Sequence, residues 1–190
     1  MVRLKTLAAC AVMALGACDV VTEVHLPPNA QQVGFAQLAE EHVNDYWCLN
    51  YRPATESCSS IWKVSISGSR TVRRLTETYK MEIGIVTNEW VMKGRLLGLS
   101  DCYEKGGTTV VSTRIDQAAR PVAQDVANAT SNLAVTLYDE RLETLGGYCG
   151  TYFRAGDNVW LVDVLGDDTM PEQEAMTLHF FPAAKPLRAK

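Results

Sequence analysis

Strand-period alternation, broken only by turns too short for a crossover, is the feature that most constrains this chain. Trp62, Val64 and Ile66 alternate with Lys63, Ser65 and Ser67, which gives an extended segment one apolar and one polar face. Ser67, Gly68 and Ser69 then turn the chain. Leu75, Tyr79, Met81, Ile83 and Ile85 share a face opposite Thr76, Thr78, Lys80 and Glu82, so the second half of this stretch reads as an amphipathic strand. Val72, Leu75 and Tyr79 also match helical spacing, and residues 70–78 fit either form. Residues 90–99 and 108–115 read as two further strands around a turn at Lys105, Gly106 and Gly107. Parallel neighbours need a connection of a dozen or more residues, so these segments predict an antiparallel meander.

Two segments carry helical spacing instead. Phe35, Leu38, Ala39, His42, Val43 and Tyr46 recur on one face, predicting a helix of about 13 residues. Pro121 suits a first helical position, and Val122, Val126, Ala129, Leu133 and Leu137 keep a period near 3.6. Leu142 and Leu145 extend that pattern to the stop at Gly146 and Gly147, although Leu133, Val135 and Leu137 equally suit a strand. Residues 148–154 and 159–165 flank Ala155, Gly156, Asp157 and Asn158, a hairpin turn. Met176, Leu178 and Phe180 alternate in a last strand. The expected fold class is α+β: a largely antiparallel sheet with two helices packed on one face, braced by disulfides.

The first residues point to export. Arg3 and Lys5 precede a short apolar run over residues 7–15, followed by Gly16, Ala17 and Cys18. That order is the order of a secretory signal peptide. The run is only about half of the roughly 20 residues that span a bilayer, so a permanent transmembrane helix is not expected.

Leu15, Gly16, Ala17 and Cys18 resemble the lipobox of bacterial lipoproteins. The resemblance covers this segment alone and implies that Cys18 receives a diacylglycerol and becomes the new amino terminus. Leu7, Ala8, Ala9 and Cys10 look similar, but cleavage there would leave no apolar run ahead of it. Several acyl chains make such anchoring durable, because each buried methylene contributes ~0.8 kcal/mol. The bilayer is thus the first expected partner, with the domain outside the cytoplasm in the bacterial envelope. Asp19 resembles the residue that retains some lipoproteins in the inner membrane; the rule varies, and the choice of membrane stays open.

These readings divide the chain into a leader (1–17), a lipidated start and tether (18–33), one globular domain (34–182) and a frayed tail (183–190). The net charge is −4 and becomes more negative once Arg3 and Lys5 leave with the leader. Such a surface argues against nucleic acid as a partner. In an oxidising compartment Cys48, Cys58, Cys102 and Cys149 predict two disulfides. Three pairings exist. Cys48 with Cys58, closing a short local loop, and Cys102 with Cys149, tying the middle of the chain to its last third, are favoured. Their spacing does not suit a four-thiolate zinc site, and no metal is expected.

Candidate chemistry is sparse. His42 follows Glu41 and stands one turn from Asp45, which can orient its imidazole; His179 lies beside Thr177 on the last strand, and His25 lies in the tether. A hydrolase using His42 or His179 with a carboxylate is the alternative function, but neither histidine sits in a motif that fixes its task. Asp167, Asp168, Glu172 and Glu174 form an acidic turn without EF-hand spacing. Gly106 with Gly107 and Gly146 with Gly147 supply no phosphate cradle, and no cofactor is expected. Asn128, Ala129 and Thr130 match a glycosylation sequon of little weight in a bacterium. Arg70, Arg73 and Arg74 read as a solvated basic face. Tyr46, Trp47, Trp62, Trp90, Tyr152 and Trp160 can line a groove for a ligand such as a sugar, but core packing uses the same residues. The function this predicts is a non-enzymatic envelope module that binds a protein, a ligand or the cell wall.

Overall fold

The structure is a computed structural model that describes residues 26–82, 84–116, 123–144, 147–165, 168–169 and 175–188. The predicted meander is present as β3 (Ser60–Ser67), β4 (Arg70–Met81), β5 (Gly84–Leu97) and β6 (Ser100–Tyr103), each antiparallel to the one before. Residues 70–78, which fit either form in the sequence, are strand throughout. Two-residue turns join β3 to β4 and β8 (Tyr148–Ala155) to β9 (Asn158–Leu165). Each begins at a glycine with positive φ, Gly68 at 61° and Gly156 at 58°, a backbone state that costs other residues energy.

The expected α+β class is wrong. β2 (Tyr46–Leu49) pairs with β3 on one side and with β11 (Met176–Phe181) on the other, and β11 pairs with β9. β9 pairs with β8 and β8 with β6. The sheet therefore closes on itself as an eight-stranded antiparallel barrel with strands in chain order. Helices do not cover one face of an open sheet. The first helix, α1 (Phe35–Glu41), sends Phe35, Leu38 and Ala39 into the barrel's main core with Trp47, Trp62, Tyr152, Leu161 and Leu178. The ring of Phe35 lies 5.6 Å from that of Trp47 and 5.3 Å from that of Tyr152. α1 is shorter than its apolar spacing predicts because Tyr46 joins β2, whose pairing on both edges completes the barrel. The His42 backbone N–H closes the last turn on Leu38, and Glu41 pairs with Arg154 of β8.

The second helix, α2 (Gln124–Thr144), follows β7 (Thr108–Asp116) in an excursion between β6 and β8. One edge of β5 is shared: its residues 95–97 pair with β6, whereas its residues 85–92 pair with β7. The sheet splits at this seam, and Gly94 marks it. A Cβ on Gly94 would lie 2.5 Å from the Cys102 carbonyl oxygen. A bulge opposite Glu89 and Trp90 adds twist to β7. α2 packs on the inward-facing side of the resulting β4–β5–β7 sheet, where Ala134, Val135 and Tyr138 meet Trp90 and Met92. Its expected apolar stripe is buried only in part: Val126 is 42%, Leu133 56% and Leu137 55% exposed, whereas Leu142 of that stripe is buried, as is Ala127 beside it.

Both ends of the expected domain extend further than the sequence suggests. Within the supposed tether, Leu26 is buried and β1 (Gln31–Val33) pairs with β8. The tail does not fray at Pro182. Leu187 bridges to Cys58, and Arg188 donates from its backbone to Cys58 and from its guanidinium to the Asn50 carbonyl.

Candidate functional site: a cavity roofed by the second helix

Strand register places the inward-facing side chains in rows across β3, β4, β5 and β7. Val64, Arg73, Met92 and Thr108 form one row; Trp62, Leu75, Trp90 and Val110 form the next; Ser60, Glu77, Asn88 and Thr113 form the third. α2 crosses above them and contributes Thr130, Leu133, Ala134, Leu137, Tyr138, Arg141 and Leu142, spaced as one helical face. Between the rows and the helix is a cavity of about 600 Å³. That size falls in the range of sites for drug-sized molecules. The half-exposed Leu133 and Leu137 give its wall on the helix side apolar character.

Two residues of the lining, Arg73 and Tyr148, belong to a buried polar cluster. Asp101, wholly buried, accepts from Arg73 Nη2 at 2.7 Å, Tyr103 Oη at 2.7 Å and Tyr152 Oη at 2.9 Å. Arg73 also donates to Tyr152 Oη at 2.9 Å and to Tyr148 Oη at 3.4 Å. Its guanidinium lies 4.9 Å from the Trp62 ring and 5.1 Å from that of Tyr103, a cation–π sandwich. Burial opposes the charge on Arg73, but the oxygens of Tyr103, Tyr152 and Asp101 outweigh it and hold its pKa above the ordinary value. Burial, together with Asp101, raises Tyr103 and Tyr152, so both hydroxyls stay protonated as donors. Gly150 leaves room for this arrangement, since a Cβ there would lie 2.8 Å from Asp101 Oδ1.

A second carboxylate sits two rows away. Glu77 accepts from Ser60 Oγ at 2.7 Å and from the hydroxyl of Tyr79. Burial first, and Glu77 next, push the Tyr79 hydroxyl well above the ordinary tyrosine range. Thr113 donates to the buried Asn88 Oδ1 at 2.8 Å. Against these paired acceptors stand four buried polar atoms, carried by residues that line the cavity, with no hydrogen-bond partner among the described residues: Trp62 Nε1, Trp90 Nε1, Arg73 Nε and Thr108 Oγ1. A buried unpaired donor costs ~1–3 kcal/mol, so native folds retain few of them. The site holds hydrogen-bond donors on paired strands of the sheet.

Arg73 corrects the reading of Arg70, Arg73 and Arg74 as one solvated face. Arg70 and Arg74 are exposed, whereas Arg73 is only 4% exposed and points inward with Leu75. Asp101, Glu77 and Thr108 carry no sequence motif. The only signal for Arg73 was its place two residues before Leu75, which is informative once β4 is known to be strand.

The expected histidine sites remain apart from the cavity. His42 Nδ1 lies 2.8 Å from Asp45 Oδ2, and its ring stacks on Phe180 at 3.6 Å. Its neighbour Glu41 is taken by Arg154, which holds that carboxyl below its usual range. His179 packs near Tyr51 and Phe181. No group of three or more His, Cys, Asp or Glu side chains among the described residues is placed to hold a metal ion. Cys18, His25 and Asp167, Glu172 and Glu174 of the acidic turn lie outside the described residues. The four domain cysteines form two disulfides, Cys48 with Cys58 and Cys102 with Cys149.

Burial lowers the pKa of His179 from 6.5. The unfolded chain therefore binds that proton more readily. The His179 contribution to stability is complete above about pH 6.5 and is lost as pH falls through the lower folded value. Urea midpoints of H179Q are expected to fall less than those of the parent between neutral pH and about 5. Parallel pH profiles would remove His179 from the account.

Fold and site together define a closed up-and-down barrel with an internal cavity partly roofed by a helix. Barrels of this strand number either fill with side chains or hold one small molecule, and this one does the first at the α1 end and leaves space at the α2 end. Set against known protein families, curated proteins and solved structures, the chain matches none of them.

Proposed function

We propose that this protein is an envelope lipoprotein, anchored through acylated Cys18, whose barrel and α2 together bind a small, largely apolar molecule. The observation that carries the binding reading is the cavity of about 600 Å³ whose lining includes buried donors with no partner among the described residues. The two disulfides support an oxidising location, as does the order of charge, apolar run and small residues before Cys18. No helix among the described residues is long and apolar enough to cross a membrane, and the lipid supplies the attachment in this reading.

Two measurements test it. Radiolabelled palmitate is expected to enter the parent protein in cells and to be absent from C18S; equal labelling would reject the anchor. For the cavity, the full chain carrying C18S is titrated with N-phenyl-1-naphthylamine, a neutral fluorophore. Saturable one-to-one binding is expected. Ala134→Trp, which fills the space beside Trp90, is expected to weaken it at least ~10-fold while the far-ultraviolet spectrum stays that of the parent. Undiminished binding by A134W would place the ligand elsewhere.

A further inference from the structure

Resting on the cavity reading, we propose that the ligand is a neutral apolar molecule bearing carbonyl or ester oxygens, held by the indole N–H groups of Trp62 and Trp90. The hydrogen-bonding balance of the lining is one-sided. Asp101 takes three donors, Glu77 takes Ser60 and Tyr79, and Asn88 Oδ1 takes Thr113. The groups left without a partner among the described residues are Trp62 Nε1, Trp90 Nε1 and Arg73 Nε, all pure donors, and the Thr108 hydroxyl, which can also donate. Each of these four residues is more than nine-tenths buried. A ligand that completes this site brings acceptors.

Charge selects among acceptors. The charged side chains that line the cavity are Arg73, Arg141 and Glu77, and Arg73 is already paired with the buried Asp101. These formal charges cancel. A carboxylate or phosphate would add an uncompensated charge to a space walled by Leu49, Leu75, Met92, Leu133 and Leu137, where desolvation penalises it. A carbonyl or ester oxygen accepts from an indole without that penalty.

Register then fixes where the ligand lies. Trp62 and Trp90 both pair with Leu75, on opposite sides of β4, so their backbones are about 10 Å apart. An apolar body resting on Leu75 reaches an indole at either side, with Arg73 one row further in. The helix face bearing Leu133 and Leu137 covers the opposite side.

The test uses three probes of similar length against the full chain carrying C18S: methyl decanoate, decanoate and undecane, each measured by displacement of N-phenyl-1-naphthylamine. The ester is expected to displace at a concentration at least about tenfold below that of the hydrocarbon or the acid. W62F and W90F keep an aromatic ring but lose the indole N–H together with part of the ring's apolar surface, so undecane reports the lost contact and the ester the lost donor as well. Each is expected to weaken the ester about three- to tenfold more than it weakens undecane. Equal affinity of ester and hydrocarbon, or unaltered ester binding by both variants, would overturn donor recognition while leaving the cavity as the binding site. Decanoate binding tighter than the ester would overturn neutrality. If none of the probes, the fluorophore included, responds to A134W, the cavity reading itself fails.

Discussion

Replacing Asp101 with alanine is expected to destabilise the barrel by about 3–5 kcal/mol, the range for breaking a buried ion pair from one side. The carboxylate is wholly buried and accepts from Arg73, Tyr103 and Tyr152. Its removal leaves a guanidinium in the interior without its counter-charge and takes the acceptor from two hydroxyls. A loss of that size is a large part of the 5–15 kcal/mol typical of a domain, so low yield of D101A is itself expected. D101N keeps the shape and one acceptor oxygen, and is expected to fall between D101A and the parent. The double variant R73M/D101L removes both charges together and is expected to be more stable than D101A, because no uncompensated ion remains. Urea midpoints of the four proteins decide the matter. A D101A protein within ~1 kcal/mol of the parent, or a double variant no better than D101A, would mean that the pair is not the electrostatic centre of the fold.

What could be read from the residues, and what could not, follows from the range over which each signal acts. Trp62, Val64 and Ile66 define β3 through period-two spacing, and Gly156 defines the turn between β8 and β9, because both are local. Both disulfides follow from an even cysteine number and economy of loop closure. Closure of the barrel is not local. It depends on Leu178 meeting Leu49 and Phe180 meeting Trp47, contacts between the last strand and the first barrel strand that leave no mark on either segment. An open sheet with helices on one face and a closed barrel need the same alternation, and nothing within a strand distinguishes them. α2 was legible as an element but not in its role, since Leu133 and Leu137 mark an apolar face whether it meets a sheet or a cavity. Arg73 was misplaced for a related reason: beside Arg70 and Arg74 its charge suggests solvent, and only the pleat of β4 sends it inward. The site is therefore built from residues whose chemistry was visible and whose convergence was not.

Removing the link between Cys102 and Cys149 is expected to cost about 4 kcal/mol in the chain-entropy account, against about 3 kcal/mol for the link between Cys48 and Cys58. The difference comes from the segments closed, with sequence separations of 47 and 10. The longer segment carries β7 and α2, the elements that roof the cavity. The bond also sits on a short ladder of three register pairs. Cys102 and Cys149 are register partners in the pairing of β6 with β8, and β6 has only four residues between β5 and β8. Replacing both cysteines by serine should therefore act twice, lowering the urea midpoint and loosening the seam at which the β5 edge passes from β7 to β6. Amide exchange is expected to quicken first at residues 101–103 and 148–150, and the affinity for N-phenyl-1-naphthylamine to fall with it. C48S/C58S is expected to lower the midpoint less and to reduce that affinity less, since Leu49 alone of the segment it closes lines the cavity. If the two double variants lose equal stability and bind the fluorophore alike, the bond between β6 and β8 is a simple clamp on the unfolded chain, and the seam keeps its geometry without it.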